Sequence, residues 1–133
     1  MHLNPYLLFN GNCSEALKFY EDTLGGKTEA KMTFAGSPAA DQAPPEWGDK
    51  VLHGVIVIGD TTVFVSDAPP GHYEEPKGLS ISIALKDKAK GEQIFNALAE
   101  GGKTTMPFEQ TFWASGFGMC VDRFGIPWMV NCE

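Results

Sequence analysis

The chain has 133 residues, 43% of them apolar and 20% charged, and its 10 Lys+Arg against 17 Asp+Glu leave a net charge of −7. At this length folding removes roughly two-thirds of the unfolded chain's surface from water, so a packed core needs no metal or disulfide staple. The composition excludes overall disorder, and the acidic balance, with no Lys/Arg-rich run, argues against a nucleic-acid partner.

In chain order, Leu3–Phe9 reads as a strand with Leu3, Leu7 and Phe9 on one face at period two. Asn12 with Glu15 three positions on resembles a capping box. It opens a helix whose stripe is Cys13, Ala16, Leu17, Tyr20 and Leu24, ended by Gly25 or Gly26. Lys27–Phe34 reads as a second strand, followed by a Pro/Ala-rich loop, Gly36–Lys50, that carries Trp47. Val51–Ile58 and Thr61–Ser66, joined at Gly59-Asp60, predict a hairpin. Residues 69–77 form a Pro/Gly/Glu linker. Leu79–Leu85 then alternates cleanly, large residues on one face and Ser80, Ser82 and Ala84 on the other. Asp87 caps a helix carrying Ile94, Phe95 and Leu98 that stops at Gly101-Gly102. Lys103–Phe108, Phe117–Val121 and Trp128–Cys132 read as three further strands.

The order repeats. Gly25-Gly26-Lys27-Thr28 returns as Gly101-Gly102-Lys103-Thr104, a shift of 76 that also places Phe19 on Phe95 and Leu3 on Leu79. Each half reads strand, helix, three strands, so the expected architecture is α+β: a single domain of two βαβββ repeats, 1–68 and 78–133. One helix per half covers one sheet face and leaves the other for a cavity. Asn4 and Tyr6 in the first half, and Ser80 and Ser82 in the second, occupy that other face; alternatively the serines face solvent or pack against bulky neighbours.

His2 at the N-terminus and His72 in the linker read as solvated surface. His53 lies in an apolar strand with Val51, Val55 and Val57. It is either a core histidine holding one hydrogen bond or a cavity-facing base. Trp128 reads as core, Trp113 as a cavity wall or subunit contact, and Trp47 as part of a lid. Cys13, Cys120 and Cys132 are odd in number and lack CxxC spacing, as expected of buried free thiols in a reducing compartment. With no bilayer-length apolar run and no signal-peptide pattern at Met1–Pro5, the chain is read as cytoplasmic with no membrane partner. No GxSxG, P-loop or GxGxxG occurs.

Asn10-Gly11-Asn12-Cys13-Ser14-Glu15-Ala16 leading to Phe19-Tyr20, and Leu24-Gly25-Gly26, are similar to the vicinal oxygen chelate superfamily of glyoxalase I, bleomycin-resistance proteins and extradiol dioxygenases. Asn4-Pro5-Tyr6-Leu7, Thr111-Phe112-Trp113-Ala114 with Phe117-Gly118, and Asp122–Trp128 narrow the resemblance to its PhnB-like branch. The resemblance implies an open curved sheet in a homodimer. In metal-dependent members it also implies His, Gln or Glu ligands on the first strand of each module and the last strand of the second. Those stretches here offer Asn4, Tyr6, Ser80, Ser82, Met129 and Asn131, a poor first shell for a divalent ion. The expected function is therefore a metal-independent protein without cofactor. It would bind a small organic ligand through Asn4, Tyr6, Trp47, Ser80, Ser82, Trp113, Met129 and Asn131, with His53 the candidate catalytic group. The alternative is an atypical lyase or dioxygenase-type enzyme using His53 as base or as a metal ligand.

Overall fold

The computed structural model describes residues 1–133 as two compact units, Met1–Glu74 and Glu75–Glu133. The first contains strand β1 (Tyr6–Phe9), helix α1 (Cys13–Leu24), β2 (Lys27–Thr33), β3 (Val51–Ile58) and β4 (Thr61–Asp67), with short 3-10 turns at Ala40–Gln42 and Pro45–Trp47. The second contains β5 (Ile81–Leu85), α2 (Lys88–Ala99), β6 (Lys103–Glu109), β7 (Gly116–Val121) and β8 (Pro127–Cys132). Both sheets are mixed and share one topology: orders β1-β4-β3-β2 and β5-β8-β7-β6, with the first pair parallel and the rest antiparallel. Two four-stranded sheets with one helix each bear out the α+β, doubled βαβββ reading.

In the first unit α1 turns Cys13, Ala16, Leu17 and Tyr20 inward against Leu7, Phe9, Ile56, Val63 and Val65, all buried. In the second, Phe95 and Leu98 of α2 cover Cys120, Trp128, Val130 and Cys132. The shared Gly-Gly-Lys-Thr has a double physical reason. Gly25 and Gly101 sit in the left-handed region at φ 69° and 77° and end or follow the helix. Their neighbours Gly26 and Gly102 pass too close to the sheet for a side chain: a Cβ would lie 2.8 Å from Ile56 Cδ1 and 2.1 Å from the Val121 carbonyl, respectively. A register irregularity follows at the same repeat position, Thr28/Ala30 and Thr104/Met106.

Three local expectations are corrected. Leu3 precedes β1 and is 91% exposed, because the strand begins only at Tyr6. Asn12 occupies the N-cap position of α1 but its side chain makes no cap bond; the Cys13 N–H instead donates to Asp67 Oδ1, 2.9 Å away. Val51 does not share the face of His53, since it is fully buried while His53 is exposed. The irregularity between Met32 and Thr33 accounts for that switch.

Candidate functional site

The face of the first sheet opposite α1 is open. Tyr6, Phe64, Val55 and Ala30 form one cross-strand row over β1, β4, β3 and β2, and His53 pairs with Met32 in the adjoining row. Tyr6, His53 and Phe64 make a three-ring cluster: centroids lie 6.1 Å apart for Tyr6–His53, 6.2 Å for Tyr6–Phe64 and 5.5 Å for His53–Phe64. Leu8 and Met32 are 46% and 47% exposed and Tyr6 51%, so this unit shows solvent an apolar patch around one imidazole. His53 is not the core histidine that an apolar strand suggests; its side is the face away from the helix. Asn4 lies beside the patch, where its Nδ2 donates to the Thr62 carbonyl at 3.0 Å and ties the chain before β1 to β4.

The open face of the second sheet is built the same way. One row is Ser82, Met129, Met119 and Met106; the next is Ala84, Asn131, Phe117 and Glu109. Trp113 packs edge-on against Phe117 at 5.3 Å and against Phe112 at 4.8 Å. The Thr111 hydroxyl fixes that loop by accepting from the Trp113 and Ala114 N–H groups. Asn131 Oδ1 is buried yet accepts no hydrogen bond within the protein. Ser80 stands just before β5, half-buried, and Ser82 is exposed.

Each unit thus gathers its own share of the expected residues: Asn4, Tyr6 and His53 in one, Ser82, Met129, Asn131 and Trp113 in the other. Trp47 lies apart from the Tyr6 cluster, on the turn between β1 and α1, with its ring edge 3.4 Å from a Cβ built on Gly11 and Lys50 Nζ 5.8 Å from the ring centroid. His2 and His72 are exposed. Phe64 and the methionine row escaped the sequence reading. Alternation of Phe64 with buried Val63 and Val65 was the available signal for the first; the second needs the register of four strands.

Two buried carboxylates prove structural. Asp67 accepts from the N–H groups of Cys13 and Val51 at 2.9 and 2.8 Å. Asp122 accepts from the N–H groups of Phe124 and Ile126 and from Trp128 Nε1, at 2.8, 3.0 and 2.8 Å. The Asp122–Trp128 motif is therefore a clamp on the β7–β8 turn. Burial, reinforced by the charge of Asp67, pushes the Cys13 thiol up to about 12 despite nearby Lys31, so the helix start does not activate it.

A metal of the superfamily kind does not fit. The open faces carry phenol, amide, hydroxyl and thioether groups beside one imidazole and, at the far edge of the second sheet, the lone carboxylate of Glu109, and nowhere do three His, Cys, Asp or Glu side chains converge.

Comparisons with known proteins point one way. A family model described as 3-demethylubiquinone-9 3-methyltransferase matches residues 1–131. Protein YjdN of Escherichia coli (strain K12) is 35% identical over 139 residues, covering 98% of this chain and 95% of its own. The crystal structure of protein PA1353 from Pseudomonas aeruginosa superposes with a TM-score of 0.90 at 49% identity, covering 100% of this chain and 98% of that one. The PhnB protein from Bacillus cereus shares the fold over the full length of both chains, with a TM-score of 0.85 at 18% identity. The same fold recurs in a glyoxylase/bleomycin resistance protein/dioxygenase domain and in a fosfomycin resistance protein.

Proposed function

Because this chain belongs to the PhnB-like family, whose model carries the description 3-demethylubiquinone-9 3-methyltransferase, within the vicinal oxygen chelate superfamily, we propose that it binds a small organic ligand on its open sheet faces without a metal ion. The observation that carries the reading is the exposed Tyr6–His53–Phe64 cluster. An aromatic, apolar lining with a few placed polar groups, here the Tyr6 phenol and the His53 imidazole, is the usual make-up of a small-molecule site. Ser82, Trp113, Met129 and Asn131 supply a matching surface in the second unit, where the free Oδ1 of Asn131 would accept from a ligand N–H or O–H. Ser80 and Asn4 border these faces and Trp47 stands further off, so their contributions are the weakest part of the set.

The family's description speaks of methyl transfer, but the reading does not rest on it. The sequence has no GxGxxG, and neither sheet has the all-parallel order of a doubly wound nucleotide-binding fold. A second reading, chemistry with His53 as general base, is favoured by the exposed imidazole within ring contact of a phenol.

Thermal shift against a broad small-molecule library tests the proposal. Binders should raise Tm in proportion to ln(1 + [L]/Kd), and His53→Ala with Tyr6→Ala should abolish the shift while the apo Tm barely moves. Stoichiometric zinc, iron or manganese in the purified protein, lost in His53→Ala, would overturn the metal-free part. The expected homodimer belongs to the same proposal; light scattering should give twice the chain mass.

A further inference from the structure

The second sheet holds a feature that ligand binding on the open faces touches only at Met129. Five methionines occur in the chain, and three of them occupy one row: Met129 of β8 pairs with Met119 of β7, which pairs with Met106 of β6. Directly paired residues project to the same side of a sheet, here the open side, because their chain neighbours Cys120 and Trp128, paired with each other on the opposite side, are the buried ones. Adjacent strands lie about 4.8 Å apart, and a methionine side chain has three rotatable bonds before its methyl. The outer two thioethers can therefore bend toward the central Met119 sulfur and meet at one point. Met106 is 42% exposed, and the other two are half-buried, so the point is reachable from solvent.

From this geometry we infer that Met106, Met119 and Met129 form a three-thioether site for a soft monovalent cation of the Cu(I) or Ag(I) type. Thioether sulfur is a soft ligand, poor for zinc, magnesium or calcium and suited to Cu(I). The row contains no carboxylate or imidazole to draw a harder ion; its remaining member is the Ser82 hydroxyl. The thiols do not compete. Cys120 and Cys132 lie on the helix-covered side, 1% and 0% exposed.

Met1 and Met32 provide internal controls, since neither lies on this sheet. With the methionine methyls carbon-13 labelled, titration with Ag(I) should move the Met106, Met119 and Met129 signals together, saturating at one ion per chain, and leave those of Met1 and Met32 in place. Cu(I) competed against a chromophoric chelator should show the same stoichiometry. Met119→Leu should weaken binding by about tenfold or more, as loss of a directly bonded ligand must at least match the loss of a supporting group. Met106→Leu, at the exposed edge, should do likewise with no risk to the core. Equal shifts at all five methionines, unchanged affinity in both Leu variants, binding abolished by Cys120→Ser, or an equal response to Zn(II) would each overturn the site.

Discussion

Asp67 does with one carboxylate what local capping does elsewhere. It terminates β4, holds the first N–H of α1 and the first of β3, and is 3% exposed. Asp67→Ala leaves two buried donors unpaired, so we expect a loss of about 3 kcal/mol or more, read by urea denaturation. Trp128→Phe removes the indole bond to Asp122 and leaves a cavity where the larger ring was buried, so it should cost about 2–4 kcal/mol in the same measurement. The thiols give a pH signature. Cys13 and Cys120 are raised from 9.0 to about 12 and about 11. The folded chain holds those protons where the unfolded chain releases them. Their contribution is thus complete below pH 9 and is lost as pH climbs through 11 to 12. Stability measured by denaturation should fall across that window, and Cys13→Ala should flatten the fall. At neutral pH a thiol reagent should modify neither until the protein is unfolded.

At the scale of elements, the Gly-Gly pair after each helix makes a graded prediction. At Gly102 an added methyl meets backbone, at 2.1 Å from the Val121 carbonyl; at Gly26 it meets side chains alone, Ile56 Cδ1 at 2.8 Å and Ile58 Cγ1 at 3.2 Å. Gly102→Ala should therefore cost more than the 1–3 kcal/mol or so usual for overpacking, and Gly26→Ala should stay within it, compared by thermal unfolding. These elements were largely legible in the sequence. The stripe Cys13, Ala16, Leu17 and Tyr20 and the cap at Asp87, which accepts from the Lys90 N–H at 3.1 Å, are local signals and came through as read, and the alternation in Leu79–Leu85 came through from Ile81 on, Leu79 lying exposed before β5. Asn12 failed because a capping box is a local competitor. The first N–H of the helix is held instead by Asp67, a carboxylate 54 residues beyond Cys13. Val51 failed for a related reason: a β-bulge shifts the period by one, and period is all that the strand reading had.

For the whole molecule, a net charge of −7 works against polyanions, so no retention on heparin is expected at physiological salt. No helix is long and apolar enough to cross a membrane. The two units repeat one strand order and one irregularity but differ in surface chemistry: rings and an imidazole on the first open face, thioethers and Asn131 on the second. Composition, periodicity, end signals and the 76-residue repeat were enough to determine that the chain makes two βαβββ units and the order of their elements, with the first strand of each unit starting two or three residues later than read, because those properties are set by residues near one another in the chain. Which side chains meet was decided only by the tertiary structure. His53 came to lie between Tyr6 and Phe64, Asp67 between two element starts, and Met119 between two methionines, because strand register and the exposed side of a sheet depend on partners dozens of residues away.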